Sequence, residues 1–269
     1  MMSAAKQPIV VVDAFTSEPF KGNPAAVCVL AVPREDSWMR NVAMEMNLSE
    51  TAFLVREGND FRLRWFTPAV EVDLCGHATL AAAHALWEGG YLPRTETCRF
   101  QTRSGLLTAQ RTGEFIEMLF PAETILPSAL PTILRDCLGV EAIDTGLAQR
   151  LGYALVELAS ASEVRAVSPD FRNLGKAPYR GVIVTSRSDD PQYDIVSRFF
   201  APAMGIDEDP VTGSAHCALG PYWCARLGKN GLVAHQASAR GGMVKVGVEG
   251  DRVRLGGQAV TVMRGDFSG

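Results

Sequence analysis

The chain repeats itself once, at an interval of about half its 269 residues. Residues 64–73 read RWFTPAVEVD, and residues 198–207, which lie 134 positions later, read RFFAPAMGID. Beyond these segments the offset becomes 137, so that the glycine-led segments at Gly76 and Gly213 correspond. A single long period does not fit a solenoid, whose repeats span roughly 20–50 residues. The repeat predicts two similar domains that face each other, with two unlike helix starts lining one shared cleft.

The segments that follow the two glycines have the pattern of central helices. Residues 77–88 are rich in alanine and apolar on most sides, which is typical of a helix enclosed by sheet. Residues 214–227 are the second such helix, and Gly228 is placed to end it. Short β-branched runs between turn residues predict strands. We place strands at 9–15, 25–30, 51–55, 61–67, 98–102, 106–110, 115–119, 153–158, 181–185 and 193–200, a hairpin over 243–255, and a last strand in 258–269 that returns to the first.

Two further helices are predicted outside the central pair. Ser37 is a suitable N-cap for a helix that runs through Met39, Val42 and Met46 at helical spacing. A second helix is expected over residues 129–138. The domain boundaries follow from the repeat: residues 1–118 with 258–269 form one domain, and residues 119–257 form the other.

The overall composition is that of an ordinary globular protein and excludes several classes of function. A formal net charge of −4 and the lack of a dense Lys/Arg stripe argue against nucleic-acid binding. No apolar run approaches the roughly 18 residues that a membrane span requires. Residues 1–8 carry no signal-peptide apolar region, and the six cysteines show no CxxC pair or metal-ligand spacing. We therefore expect reduced thiols and a cytoplasmic location.

Three positions combine residue types that suit proton transfer. Glu50 lies at a helix-to-strand junction, where a carboxylate is usually solvated. His77 lies in the first turn of the first central helix, where it either caps the turn or relays a proton. Unpaired N–H groups and the positive dipole end favour an anion there, and the dipole is expected to lower the pKa of His77. Asp209 precedes the second central helix and could equally cap it.

Four motifs in order closely resemble the PhzF-like family of phenazine biosynthesis, and the resemblance covers essentially the whole chain. It implies an α+β fold of the diaminopimelate epimerase type, with two similar domains related by a pseudo-two-fold axis, each a curled mixed sheet around a central helix. It also implies isomerisation without a cofactor or a metal. The motifs are DAF at 13–15 with FKGNPAAV at 20–27, NLSETAF at 47–53, LCGHAT at 74–79, and DPVTGSA at 209–215.

The resemblance assigns roles to the matching residues. It implies that Glu50 removes a C–H proton and returns it elsewhere, supported by His77 and Asp209, as in the isomerisation of trans-2,3-dihydro-3-hydroxyanthranilate. Substrate binding is implied for Asn23, Ser49, Cys75, Gly76, Gly213 and Ser214. The expected partners are a small, cyclic carboxylic acid as substrate and a second copy of the chain in a homodimer, with no nucleic acid and no membrane.

One departure from the related epimerases concerns the thiols. Those enzymes use two opposed cysteines, one at each helix start, whereas Cys75 here corresponds to Thr212 in the second repeat. Cys217 lies a helical turn further in and is interpreted as a core residue. Racemisation by two thiols is therefore disfavoured. Two alternatives remain open: a racemase or epimerase that uses Cys75 with a different partner base, and a binding or interaction protein without activity.

Overall fold

The computed structural model describes residues 6–129 and 131–268. The chain separates into two compact units, one drawn from Met1–Leu119 and Gly256–Gly269 and the other from Phe120–Leu255. Three expectations from the sequence reach beyond the described residues. These concern the first five residues of the N-terminal segment 1–8, position 130 of the helix expected over 129–138, and position 269 of the last strand expected in 258–269.

The elements alternate between strands and short helices along the whole chain. The first half contains β1 (Lys6–Ala14), β2 (Asn23–Leu30), α1 (Asp36–Met46), β3 (Glu50–Glu57), β4 (Asp60–Phe66), β5 (Glu71–Val72), α2 (Gly76–Glu88), β6 (Cys98–Thr102), β7 (Gly105–Thr112) and β8 (Phe115–Pro121). The second half contains β9 (Ile125–Pro127), α3 (Thr132–Leu138), β10 (Asp144–Ala148), β11 (Tyr153–Glu157), α4 (Ala161–Ala166), α5 (Phe171–Leu174), β12 (Gly181–Arg187), β13 (Ile195–Ala201), a 3-10 turn (Pro202–Met204), β14 (Ile206–Glu208), α6 (Gly213–Leu227), β15 (Gly231–Gln236), β16 (Gly242–Glu249), β17 (Arg252–Gly257) and β18 (Ala259–Ser268).

In the first unit, a mixed sheet curls around α2. Strand β2 pairs antiparallel with β1 and parallel with β3. Strand β4 pairs antiparallel with β3 and β5 and parallel with β6. The last strand, β18, pairs antiparallel with β1, so the prediction that the chain returns to its first strand is confirmed. Helix α2 lies against β1, β2 and β3, and its side chains are buried on most sides, as its composition predicted.

The second unit repeats this sequence of strand pairings. Strand β11 pairs antiparallel with β10 and parallel with β12, and β13 pairs antiparallel with β12 and β14 and parallel with β15. Helix α6 occupies the place of α2 in chain order and packs on β15 and β16. It ends at Gly228, whose backbone is left-handed (φ 65°), as predicted. The same pairings around a central helix define the α+β epimerase-like fold.

Corresponding side-chain contacts also mark the repeat. In the first unit, Arg64 forms a two-point ion pair with Glu71, with N–O distances of 2.7 and 2.6 Å. In the second unit, Arg198 does the same with Glu208, at 2.7 and 2.9 Å. Each guanidinium also lies over a phenylalanine ring of its own strand. Bidentate pairs of this kind fix the geometry of both partners, so each stabilises the short connection that leads to a central helix.

The structure corrects several element boundaries. Ser37 is not an N-cap: α1 begins at Asp36, Glu35 precedes it, and no side chain caps it. The helix expected over 129–138 begins at Thr132, because Pro131 takes the extended N-cap position before it. Asn23, which was expected in a loop, already belongs to β2. The strand expected over 193–200 begins later, at Ile195.

Candidate active site

In the first unit, backbone pairing brings the starts of β2 and β3 together. The two strands are parallel neighbours, with Ala25 opposite Glu50. The Asn23 and Glu50 side chains therefore lie at the same end of these two paired strands. Helix α2 begins beside this end, with Cys75 as its extended N-cap residue and His77 in its first turn. Residues distant in sequence thus meet through sheet pairing and one helix start.

These residues form a buried cluster centred on the imidazole of His77. Its Nε2 lies 3.2 Å from Oε2 of Glu50, and the two side chains are 6% and 13% exposed. Its Nδ1 lies 3.1 Å from Nδ2 of Asn23 and 3.6 Å from Sγ of Cys75. Oε2 of Glu50 is buried and accepts no well-aligned hydrogen bond. A close carboxylate–imidazole pair of this kind can pass and hold protons in a nearly dry environment.

The cluster shifts the pKa values of both the Cys75 thiol and the His77 imidazole upwards. Burial raises the pKa of Cys75 to about 11, and the nearby Glu50 carboxylate adds to the shift. Burial acts to lower the pKa of His77, but the Cys75 sulfur and the Glu50 carboxylate outweigh it, and the pKa of His77 lies well above its ordinary value. The expectation that the helix dipole lowers this pKa was wrong, because a carboxylate in contact outweighs a partial charge.

The other expected binding residues of this unit lie next to the cluster in sequence. Ser49 is half-buried immediately before β3, and Gly76 is the first residue of α2. The hydroxyl of Thr79 donates to the Cys75 carbonyl at 2.5 Å, which closes the first turn of the helix. Backbone N–H groups in such a first turn have no partner within the helix and can bind a carboxylate.

In the second unit, the residues that precede α6 form a separate hydrogen-bonded group. The hydroxyl of Thr212 donates to Oδ2 of Asp209 at 2.5 Å. Gln236 holds both residues: its Nε2 donates to the Asp209 carbonyl at 2.7 Å, and its Oε1 accepts from the Thr212 N–H at 2.8 Å. Gly213 begins α6, and the Ser214 hydroxyl lies 3.1 Å from the phenol oxygen of Tyr153. The carboxylate of Asp209 is therefore held by Thr212, and its backbone carbonyl by Gln236.

Two of these second-unit residues were missed by sequence reasoning. Gln236 is fully buried at the end of β15, and Tyr153 is buried at the start of β11. Each lies within an ordinary apolar strand, so no spacing or motif marks it. The corresponding strand starts show why the two units differ in chemistry: Glu50 begins β3, whereas Gly181 begins β12. The two units thus differ at this position, and the carboxylate–imidazole pair belongs to the first.

The buried cluster includes the three ligand types that transition metals prefer. One ligand atom each from Glu50, Cys75 and His77 lie within 4.8 Å of one another. The sequence had suggested no metal site, because Glu50 lies in a different segment from Cys75 and His77. Among residues 6–129 and 131–268, no helix is long and apolar enough to cross a membrane.

The fold is of the epimerase-like type. A hydroxyproline epimerase from Agrobacterium vitis superposes with a TM-score of 0.63, covering 98% of this chain and 92% of that one. At 13% identity this likeness concerns the fold alone.

The sequence pattern of the phenazine biosynthesis-like protein family matches residues 12–265, and the chain belongs to that family. A protein of Halalkalibacterium halodurans that is described as an uncharacterized isomerase is 53% identical over 97% of this chain and 98% of its own length. The crystal structure of a PhzF-family protein from Enterococcus faecalis superposes with a TM-score of 0.93, at 41% identity, over 98% of this chain and 99% of that one. The protein is accordingly an isomerase of this family.

Proposed function

We propose that the enzyme moves a proton within a small, cyclic carboxylic acid by acid–base catalysis, in the manner of trans-2,3-dihydro-3-hydroxyanthranilate isomerisation. Glu50 is the base that removes a C–H proton and later returns it to another carbon. The proton count is unchanged over the cycle, so the reaction consumes no co-reactant. The observation that carries this proposal is the nearly buried Glu50 carboxylate held 3.2 Å from His77.

His77 supports this role through its position. Contact with one carboxylate oxygen restricts the rotation of the Glu50 side chain, and Asn23 restricts the imidazole in turn at 3.1 Å. A base that is fixed before the substrate arrives loses less entropy in the transition state. The positive imidazole also stabilises the negative charge that develops on a substrate carboxylate or enolate-like oxygen.

The start of α6 in the second unit is proposed to bind polar groups of a small carboxylate. Gly213 at the start of α6 permits close approach of a ligand to the backbone, and Ser214 offers a hydroxyl. Asp209 is the supporting acid of this unit, with its carboxylate fixed by Thr212.

A racemase that uses Cys75 is the second candidate, and one observation favours it. The Cys75 sulfur lies 3.6 Å from Nδ1 of His77, which is the arrangement that activates catalytic thiols. The electrostatics oppose it, because a pKa of about 11 keeps this thiol protonated at neutral pH. The corresponding position in the second unit is Thr212, which has no thiol.

The ranking of two substitutions separates the candidates. Glu50→Gln keeps the shape and removes the base, and should lower turnover by about 10²–10⁴-fold. Cys75→Ala should be milder. Glu57→Gln, at the exposed far end of the same strand, is the matched control and should keep wild-type turnover. An inactive Cys75→Ala beside an active Glu50→Gln would establish the thiol mechanism instead.

The assay needs a ligand, and two steps provide one. Turnover is first measured with trans-2,3-dihydro-3-hydroxyanthranilate at saturation. A panel of small carboxylates, including amino acids, is then screened by thermal stabilisation, since a ligand at 100 times its Kd stabilises the folded state by about 2.7 kcal/mol. Loss of stabilisation by cyclic carboxylates in the Glu50→Gln protein, and separately in the Gly213→Val protein, would support a binding role for each of these residues.

A further inference from the structure

We infer that the Glu50–Cys75–His77 cluster is a zinc site whose occupation switches the isomerase off. The inference rests on the proposed function only in calling that occupation inhibitory. Carboxylate, thiolate and imidazole are all zinc ligands, and three protein ligands with one open position are the pattern of an accessible zinc centre.

The observed spacing is close to the one that a tetrahedral zinc ion needs. Zn–S bonds of about 2.3 Å and Zn–N or Zn–O bonds of about 2.1 Å place neighbouring ligand atoms roughly 3.4–3.6 Å apart. Nε2 of His77 lies 3.2 Å from Oε2 of Glu50 and 4.0 Å from Sγ of Cys75. All three ligand atoms lie within 4.8 Å of one another, so contraction by about an ångström around an ion completes the geometry.

The surroundings also match those of a metal-binding histidine. Such a residue usually ligates through one ring nitrogen while the other is held by a neighbour. Here Nε2 lies 3.2 Å from Oε2 of Glu50 and 4.0 Å from Sγ of Cys75, while Nδ1 lies 3.6 Å from the same sulfur and 3.1 Å from Nδ2 of Asn23. Ligation through Nε2 requires the Asn23 amide to turn its oxygen towards the Nδ1 N–H. The buried Oε2 of Glu50 accepts no well-aligned hydrogen bond, so an ion would satisfy it.

Binding would proceed by proton release. The Cys75 thiol loses its proton to solvent as the Zn–S bond forms, and a protonated His77 loses one as Nε2 coordinates. Zinc then holds an oxygen of the Glu50 base, and His77 becomes a neutral ligand in place of the positive imidazole that the proposed mechanism uses. A Glu50 carboxylate bound to zinc cannot accept a substrate proton, and turnover stops.

The direct test measures the metal without any substrate. Chelator-treated full-length protein is titrated with Zn²⁺ by calorimetry, and separately with Co²⁺ by absorbance. One equivalent should bind, and Co²⁺ should give the thiolate-to-metal charge-transfer band in the near ultraviolet. Absence of that band in the wild-type protein would overturn the inference without recourse to any variant.

Variants then assign the ligands. Asn23→Ala removes the partner of a ligating histidine and should lower the zinc affinity about 10–100-fold. Cys75→Ala and Cys75→Ser each remove a ligand and should lower the zinc affinity at least about 100-fold. Cys98→Ala removes a thiol that is equally buried but lies on β6, and serves as the matched control with unchanged affinity. Unchanged affinity in both Cys75 variants would refute the site.

Inhibition is examined last, with trans-2,3-dihydro-3-hydroxyanthranilate or a substrate found in the carboxylate screen. Turnover should fall in proportion to bound Zn²⁺ and return when a chelator is added. Undiminished turnover at saturating Zn²⁺ would overturn the switch. A protein that binds one Zn²⁺ with the expected cobalt band, but turns over no carboxylate, would confirm the metal site and count against the proposed function instead.

Discussion

Acid should destabilise this protein through one buried histidine, His216 of α6. Its Nδ1 donates to the Thr212 carbonyl at 2.7 Å, while its Nε2 is buried without a hydrogen-bond partner. Burial lowers the pKa of His216 from its ordinary 6.5 to about 4. In the unfolded chain this imidazole titrates normally, so the unfolded state binds the extra proton at every pH between these values.

The sign and size of the effect follow from that difference. Because the folded-state pKa is depressed, the stabilisation is fully present above about pH 6.5 and is lost as the pH falls towards about 4. Each pKa unit is worth about 1.4 kcal/mol, which makes the loss about 3 kcal/mol over this window.

The assay compares urea unfolding of the wild type and of His216→Gln at a series of pH values from about 7.5 to 4.5. Carboxylates titrate in both proteins, so the difference between the two unfolding free energies isolates the histidine. The glutamine amide can still donate to the Thr212 carbonyl but cannot take up a proton. The wild type should lose about 3 kcal/mol relative to the variant as the pH falls. A difference that stays constant with pH would refute the reasoning.

Three further predictions concern packing, binding and the repeat. Gly220→Ala should lower the free energy of unfolding in urea by about 1–3 kcal/mol, because the new Cβ would lie 2.7 Å from a valine methyl group of β16. Gly247→Ala is the control: its Cβ would meet no atom closer than 3.7 Å and should cause no steric clash. Gly213→Val should abolish stabilisation by small carboxylates in thermal melts, with far-UV circular dichroism unchanged. Arg64→Lys and Arg198→Lys should each lose at least one bond of the bidentate pair, at about 1.5–3 kcal/mol of unfolding free energy for each charged hydrogen bond lost. Each guanidinium also makes a further contact, Arg64 with Asp36 and Arg198 with the Val167 carbonyl.

Each of these predictions has a result that contradicts it. Equal unfolding free energies of the Gly220→Ala and Gly247→Ala proteins would show that α6 accommodates the extra methyl group without loss of stability. Carboxylate binding by the Gly213→Val protein would remove the α6 start from the binding site. Clearly different losses for the two arginine variants would mean that the repeated ion pairs do not carry equivalent weight.

Much of the fold could be predicted because its main signals are local or repeated. The offset of 137 matched Gly76 with Gly213, and both residues begin the central helices. Residues 77–88 were identified from their apolar character alone. The helix boundaries that were predicted wrongly depend on single residues, which hydrophobic periodicity does not reveal. Helix α3 begins only after Pro131, and Ser37 has a side chain suited to an N-cap but lies inside α1.

The candidate site was only partly predictable. Glu50 and His77 came from motifs, but their contact depends on the pairing of β2 with β3 and on where α2 begins, both long-range features. The direction of the His77 pKa shift could not be obtained without that contact, since the helix dipole alone suggested the opposite. Gln236 and Tyr153 gave no signal, because a polar side chain within an apolar strand shows its role only once its partners are known.

The most direct test of the central claim follows a single deuterium atom. The wild-type enzyme, freed of metal by chelation, is incubated with trans-2,3-dihydro-3-hydroxyanthranilate in D₂O, and substrate and product are examined by NMR. If Glu50 moves a proton within the ring, a product with a shifted double bond appears, and it carries deuterium where the proton on Glu50 exchanges with D₂O before it is returned. Glu50→Gln slows the appearance of this product by about 10²–10⁴-fold. Deuterium in an otherwise unchanged substrate, lost in Cys75→Ala and kept in Glu50→Gln, would contradict this account and establish a thiol-based epimerase.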